Sequence, residues 1–168
     1  MLSSPLTLIL GGARSGKTRY AEGMIKALPA PWVYVATAEV WDEEMRERVE
    51  RHKADRSEAG WITVEAPIDL AAALATDHPV LVDCLTLWVT NMMLGEHDIE
   101  AATARLEAAL NARKAPTILV ANEVGLGIVP DNKMARDFRD HAGRLHQRLA
   151  ARADHVVLTV AGLPLTVK

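Results

Sequence analysis

Apolar residues along the chain gather in short blocks, and the stretches between them repeat with helical period. Leu6 to Leu10 is a compact apolar run that breaks at Gly11-Gly12. From Lys17 the spacing is helical to about Ala27, and Pro29 ends it. A second buried-strand pattern occupies Trp32 to Ala36, followed by a highly charged helical stretch from Trp41 to about Ala54. Pro79 to Asp83 reads as a third strand, short and rich in Val and Leu. Ala101 to Arg113 carries Leu106 and Leu110 one turn apart among alanines, a helix by propensity, and Pro116 leads into a strand at Thr117 to Ala121. An amphipathic segment from Lys133 to Arg152 precedes the alternating strand Val156 to Val160. A Gly-Leu-Pro bend then turns toward a last strand at Leu165 to Val167. Such alternation predicts an α/β fold: a mainly parallel sheet flanked by helices on both faces, open to an antiparallel edge at the C-terminus.

Composition narrows the function classes. A chain of 168 residues that is 49% apolar can bury one substantial core, so residues 1–168 are expected to form one domain. Nineteen basic against twenty-two acidic residues give a formal charge of -3, which offers no broad footprint for nucleic acid or an anionic membrane. Any phosphate binding must therefore be local. The single cysteine, Cys84, cannot form an intrachain disulfide, and no Cys/His cluster has zinc spacing. The start lacks a basic region ahead of its short apolar run, and no segment reaches the roughly 18 uncharged apolar residues of a membrane helix. The expectation is a soluble cytoplasmic protein.

The break after the first strand carries the chemistry. Gly11-Gly12-Ala13-Arg14-Ser15-Gly16-Lys17-Thr18 matches G-x-x-x-x-G-K-[ST] and lies between a predicted strand and a predicted helix, the context this phosphate-loop motif needs. That context outweighs the reading of a glycine turn with an incidental lysine. The loop places the fold among P-loop NTPases. Lys17 is expected on the β and γ phosphates, and the Thr18 hydroxyl on magnesium. Asp83, ending Val80-Leu81-Val82, stands where such enzymes draw a second magnesium anchor; taken alone it could equally cap a helix or shape a turn.

Three further stretches bear on the kind of nucleotide enzyme. Met45, Val49 and His52 share one helical face in the charged helix, which points His52 toward a site. A neutral imidazole can attack phosphorus and form a phosphoramidate, although a solvated histidine near a helix end is the commoner case. Asn122-Glu123-Val124-Gly125 follows a strand where open parallel sheets bind ligands, so Glu123 is either a base for a substrate hydroxyl or a turn-forming residue. Asp83 to Asn91 mixes polar and apolar residues, most of the latter core.

Taken together these stretches resemble the bifunctional adenosylcobinamide kinase and adenosylcobinamide-phosphate guanylyltransferase family of cobalamin biosynthesis. The matching segments span the chain: 11 to 17, Tyr34 to Ala38, Asp42 to Met45, Arg51 to Lys53, Asp83 to Thr86, Asn122 to Gly125 with Ile128 to Pro130, and Gly143-Arg144. The resemblance implies that His52 carries GMP as a covalent intermediate. It also implies a guanine nucleotide site made of the phosphate loop, Ala36, Thr37, Ala38, Lys53, Ala54, Asp55, Arg56, Glu65 and Asp83. ATP and GTP would be substrates, a corrinoid the acceptor, and the assembly a homotrimer. One departure is mild: members carry aspartate or glutamate where this chain has Asp83. An ordinary small-molecule kinase with a structural His52 is the competing enzyme. A GTP switch is a third reading, though the guanine-reading Asn-Lys-x-Asp run is absent at 122 to 125.

Overall fold

A computed structural model of the chain describes residues 5–168, the Arg48 side chain excepted. Met1 to Ser4, on which the reading of the N-terminus partly rests, lie outside them. The elements run β1 (Leu6–Gly11), α1 (Lys17–Lys26), β2 (Trp32–Ala36), α2 (Glu43–Glu58), β3 (Trp61–Glu65), α3 (Leu70–Ala73), β4 (Val80–Asp83), α4 (Leu85–Leu94), α5 (Ile99–Ala112), β5 (Thr117–Asn122), α6 (Lys133–Arg152), β6 (His155–Val160) and β7 (Leu163–Thr166). Seven strands make one sheet in the order β3-β2-β4-β5-β1-β6-β7. Among the described residues only β6 and β7 pair antiparallel, which bears out the expected C-terminal edge.

Alternation along each strand builds two cores. Leu8, Val33, Val35, Val80, Val82, Leu119 and Val156 face one side, where Trp88 of α4, Leu106 of α5 and Leu149 of α6 cover them. Ile9, Tyr34, Leu81, Ile118, Val120 and Val157 face the other, under Ala21 and Ile25 of α1. With both faces covered, the strands read as nearly continuous apolar runs. Four helices begin with a side-chain cap, Asp42, Asp69, Asp98 and Asn132 accepting from the N–H of Met45, Ala72, Ala101 and Ala135, which satisfies N–H groups the helix cannot.

The charged helix ends one turn beyond the pattern's limit, at Glu58, where Gly60 at φ +93° turns the chain into β3. β3, α3 and α4 were not anticipated, so Pro79 to Asp83 contains the fourth strand rather than the third. α4 evades the helical period because Leu85, Thr86, Trp88, Val89, Asn91 and Met92 are all buried; a helix enclosed on most sides shows no polar stripe. β7 starts at Leu163, inside the expected bend, and ends before Val167.

The register brings the C-terminal ends of the parallel strands together. Gly11 pairs with Asn122 and Thr159, and Ala36 with Glu65 and Asp83. In open α/β sheets this edge is where ligands bind.

Candidate nucleotide site

β1 delivers the chain to Gly11 and α1 starts at Lys17, so the intervening loop must turn within a few residues. Gly16 sits at φ +94°, where a side chain is strained, and a Cβ there would come within 3.1 Å of Gly162 Cα. The β6–β7 turn lies that close because it braces the loop: the Gly162 N–H donates to the Ser15 carbonyl at 2.9 Å, and the Ser15 and Thr159 hydroxyls share a 2.7 Å hydrogen bond. Nothing in the local sequence joins positions 15 and 159. Gly16 caps α1 without a side-chain hydrogen bond, so the helix's first N–H groups and its positive end point into the loop, an anion-binding arrangement.

Lys17 is buried and arches over its own loop, Nζ donating to the Gly12 carbonyl at 2.6 Å. Burial pulls its pKa below the ordinary lysine range, against the upward pull of Cys84 and Asp83. Thr18 Oγ1 donates to Asp83 Oδ2 at 3.1 Å, and the Tyr34 hydroxyl donates to the same oxygen at 2.7 Å. Tyr34 is in turn covered by the Arg56 guanidinium, 3.6 Å from its ring centroid. Burial, and then the neighbouring Asp83, push the phenol well above its ordinary range. A continuous chain of contacts thus runs from α1 through Asp83 to α2. Lys53, also on α2, bridges to Glu65 at the end of β3 at 2.7 Å.

Thr37 is fully buried, its hydroxyl donating to the Cys84 carbonyl at 2.7 Å and accepting from the Cys84 N–H at 2.9 Å. Asn91 of α4 donates to the Thr37 carbonyl at 2.7 Å. The backbone of Ala36 to Ala38 is therefore pinned to the start of α4, beside Asp83.

A family model described as cobinamide kinase / cobinamide phosphate guanyltransferase matches residues 7–167. The chain belongs to this family. It is 44% identical to the bifunctional adenosylcobalamin biosynthesis protein CobU of Salmonella typhimurium, over 97% of this chain and 99% of that one. Identity is also 44% to the bifunctional adenosylcobalamin biosynthesis protein CobP of Pseudomonas aeruginosa, over 96% of each. The Escherichia coli CobU protein is 40% identical over 97% of this chain and 99% of its own.

Within this cobinamide kinase / guanyltransferase fold, the loop 11–18, Ala36 to Ala38, Glu65, Asp83, Lys53 and Arg56 collect at one edge. His52, Ala54 and Asp55 are exposed along α2. The expectation that His52 shares the inward face is corrected: the half-buried stripe passes through Met45, Val49, Lys53 and Arg56. From Val49 the step to 53 stays nearer the same face than the step to 52, and Arg56 and Lys53 fix that face by their contacts. His52 stands on its shoulder, one turn before Arg56, open to approach. Glu123 shapes the turn after β5, Oε1 accepting from the Gly125 N–H at 2.6 Å, an arrangement that leaves the second carboxylate oxygen without a donor among the described residues. Sequence reasoning missed the braces: Tyr34 on Asp83, Asn91 on Thr37, and Thr86, whose hydroxyl accepts from the Asn122 N–H at 2.7 Å.

Proposed function

We propose that this chain phosphorylates the aminopropanol hydroxyl of adenosylcobinamide with ATP or GTP. It then transfers GMP from GTP to the resulting phosphate, giving adenosylcobinamide-GDP and pyrophosphate. The observation that carries the reading is the convergence, at one sheet edge, of a braced phosphate loop, the Thr18–Asp83 pair and the α2 cations, in a chain that matches the family from residue 7 to 167.

In the kinase step the loop N–H groups and Lys17 hold the β and γ phosphates and stabilise the charge that spreads over the transferring group, so the protein contributes mostly positioning and electrostatics. The Thr18 hydroxyl and Asp83 carboxylate offer hard oxygen donors side by side, the donor set magnesium takes when phosphates and water supply the rest. Asp83 Oδ2 already accepts two hydrogen bonds, and among the described residues Oδ1 accepts none. When bound, magnesium neutralises phosphate charge.

In the transfer step His52 attacks the α phosphorus of GTP. The bond to the bridging oxygen breaks, and its electron pair leaves with pyrophosphate. The cobinamide phosphate then displaces the imidazole, giving product and free His52. An exposed imidazole suits a nucleophile that must meet a triphosphate and then a bulky acceptor. We assign the chain to a homotrimer with the active site near a subunit boundary. No helix among the described residues is long and apolar enough to cross a membrane, and we place the enzyme in the cytoplasm.

The test is product analysis. Purified protein given adenosylcobinamide, ATP, GTP and magnesium should yield first adenosylcobinamide phosphate and then adenosylcobinamide-GDP by mass spectrometry. Nucleotide hydrolysis with neither product would contradict the assignment.

A further inference from the structure

Beside the phosphate loop lies a cleft of about 680 Å³, walled by Gly12 to Ser15 on one side, the β5–α6 connection on another and the end of β6 on the third. Its described lining contains two titratable side chains, Arg14 from the loop and Glu123 from the end of β5. The Glu123 N–H donates to the Gly11 carbonyl at 2.9 Å, so this residue is fixed directly against the start of the phosphate loop.

The segment after it is also held. Arg139 of α6 donates to the Gly125 carbonyl at 3.1 Å, and Arg136 donates to the carbonyls of Pro130 and Asp131 at 2.9 and 2.7 Å. Glu123 thus projects from an anchored backbone. A carboxylate has about four acceptor positions; the Gly125 N–H takes one, and among the described residues no other donor reaches it. Burial holds the His146 imidazole of α6 below its ordinary pKa, against the pull of Glu123.

The two proposed reactions differ in one chemical respect. The kinase acceptor is an alcohol, which must lose a proton as its oxygen attacks. The transferase acceptor is a phosphate, already anionic, with no proton to lose. Resting on the functional reading above, we infer that Glu123 is the base of the kinase step alone, and that this cleft admits the acceptor alcohol. As the alcohol oxygen bonds to the γ phosphorus, the bond from phosphorus to the β–γ bridging oxygen breaks and its electron pair departs with the nucleoside diphosphate. The hydroxyl proton passes to the Glu123 carboxylate and afterwards to solvent.

Glu123→Gln keeps an oxygen for the Gly125 N–H and removes the basic site. Kinase kcat should fall about 100-fold or more, with KM for ATP within about twofold of the parent, since the substitution leaves the phosphate contacts in place. Guanylyl transfer to preformed adenosylcobinamide phosphate should stay within about twofold, which also reports that the variant is folded. Glu123→Asp, with a shorter reach, should recover part of the kinase rate. An unchanged kinase overturns the inference, and so does equal loss of both activities, which would mark Glu123 as structural. If the parent protein itself phosphorylates no alcohol, the functional reading fails rather than the assignment of the base.

Discussion

Two buried cations sit at opposite ends of the sheet, and their surroundings differ in kind. Arg113, beyond the C-terminus of α5, donates to the carbonyls of Leu74, Thr76 and His78 at 2.6, 2.9 and 2.7 Å, to Ala115 at 3.5 Å, and to the Thr117 hydroxyl at 2.6 Å. Every direction of the planar guanidinium fork meets an acceptor, and the connections into β4 and β5 are tied together by it. Lys17, at the other end, has three donors and, among the described residues, one partner. Burial lowers the pKa of both. A cation whose donors are all satisfied by fixed carbonyls organises the fold. One left with spare donors at the uncapped start of α1 carries a desolvation cost that a bound anion would offset.

The contrast can be broken from either side. Arg113→Ala should cost about 3–5 kcal/mol in urea unfolding, since several buried carbonyls lose their donor at once; nucleotide affinity measured under folding conditions should hardly move. Lys17→Ala should do the reverse. Its kinase rate should drop about 100- to 1000-fold, the loss typical of one preorganised donor to transition-state charge, while the unfolding midpoint stays level or rises because a poorly solvated charge is gone. Equal damage to stability by both substitutions would erase the distinction.

Tyr34→Phe tests the brace between the two α helices of the site. It should cost about 1.5–3 kcal/mol near neutral pH, one hydrogen bond to a carboxylate being lost. The parent phenol titrates above its ordinary value of 10.0 when folded, so above that pH the unfolded chain binds fewer protons than the folded one. Stability contributed by Tyr34 is present below about pH 10 and is lost as pH rises beyond it. Unfolding curves between pH 8 and 11 should show that alkaline loss in the parent and a shallower one in Tyr34→Phe. The smallest effect belongs to Glu65→Gln: its ion pair with Lys53 is largely solvated, with side chains 49% and 27% exposed, and should be worth no more than about 0.5 kcal/mol in the unfolding midpoint.

What could be read from the chain depended on how local each signal is. The glycine-rich loop is contiguous and sits between two elements of clear period, so the strand–loop–helix arrangement around Gly11 to Thr18 was legible. Lys133 to Arg152 was legible to the residue because its apolar stripe faces the sheet and its flanks face water. α4 was not, because burial on most sides erased its stripe, and β3 was lost between charged and alanine-rich segments. Contacts such as Ser15 with Thr159, or Tyr34 with Asp83, join positions far apart and become visible only in the folded chain. The inward stripe of α2 was misassigned by one residue because a helix so poor in apolar side chains leaves its face to be chosen by tertiary partners, here Glu65 and Tyr34.

On the proposed function, one chain uses the phosphate loop for both reactions and the His52 imidazole for one. Intact-mass measurement after incubation with GTP and magnesium addresses it directly. The parent should gain the mass of a single GMP, and His52→Ala should gain none while retaining alcohol phosphorylation. An unlabelled parent, or a His52→Ala variant labelled as fully as the parent, would contradict it.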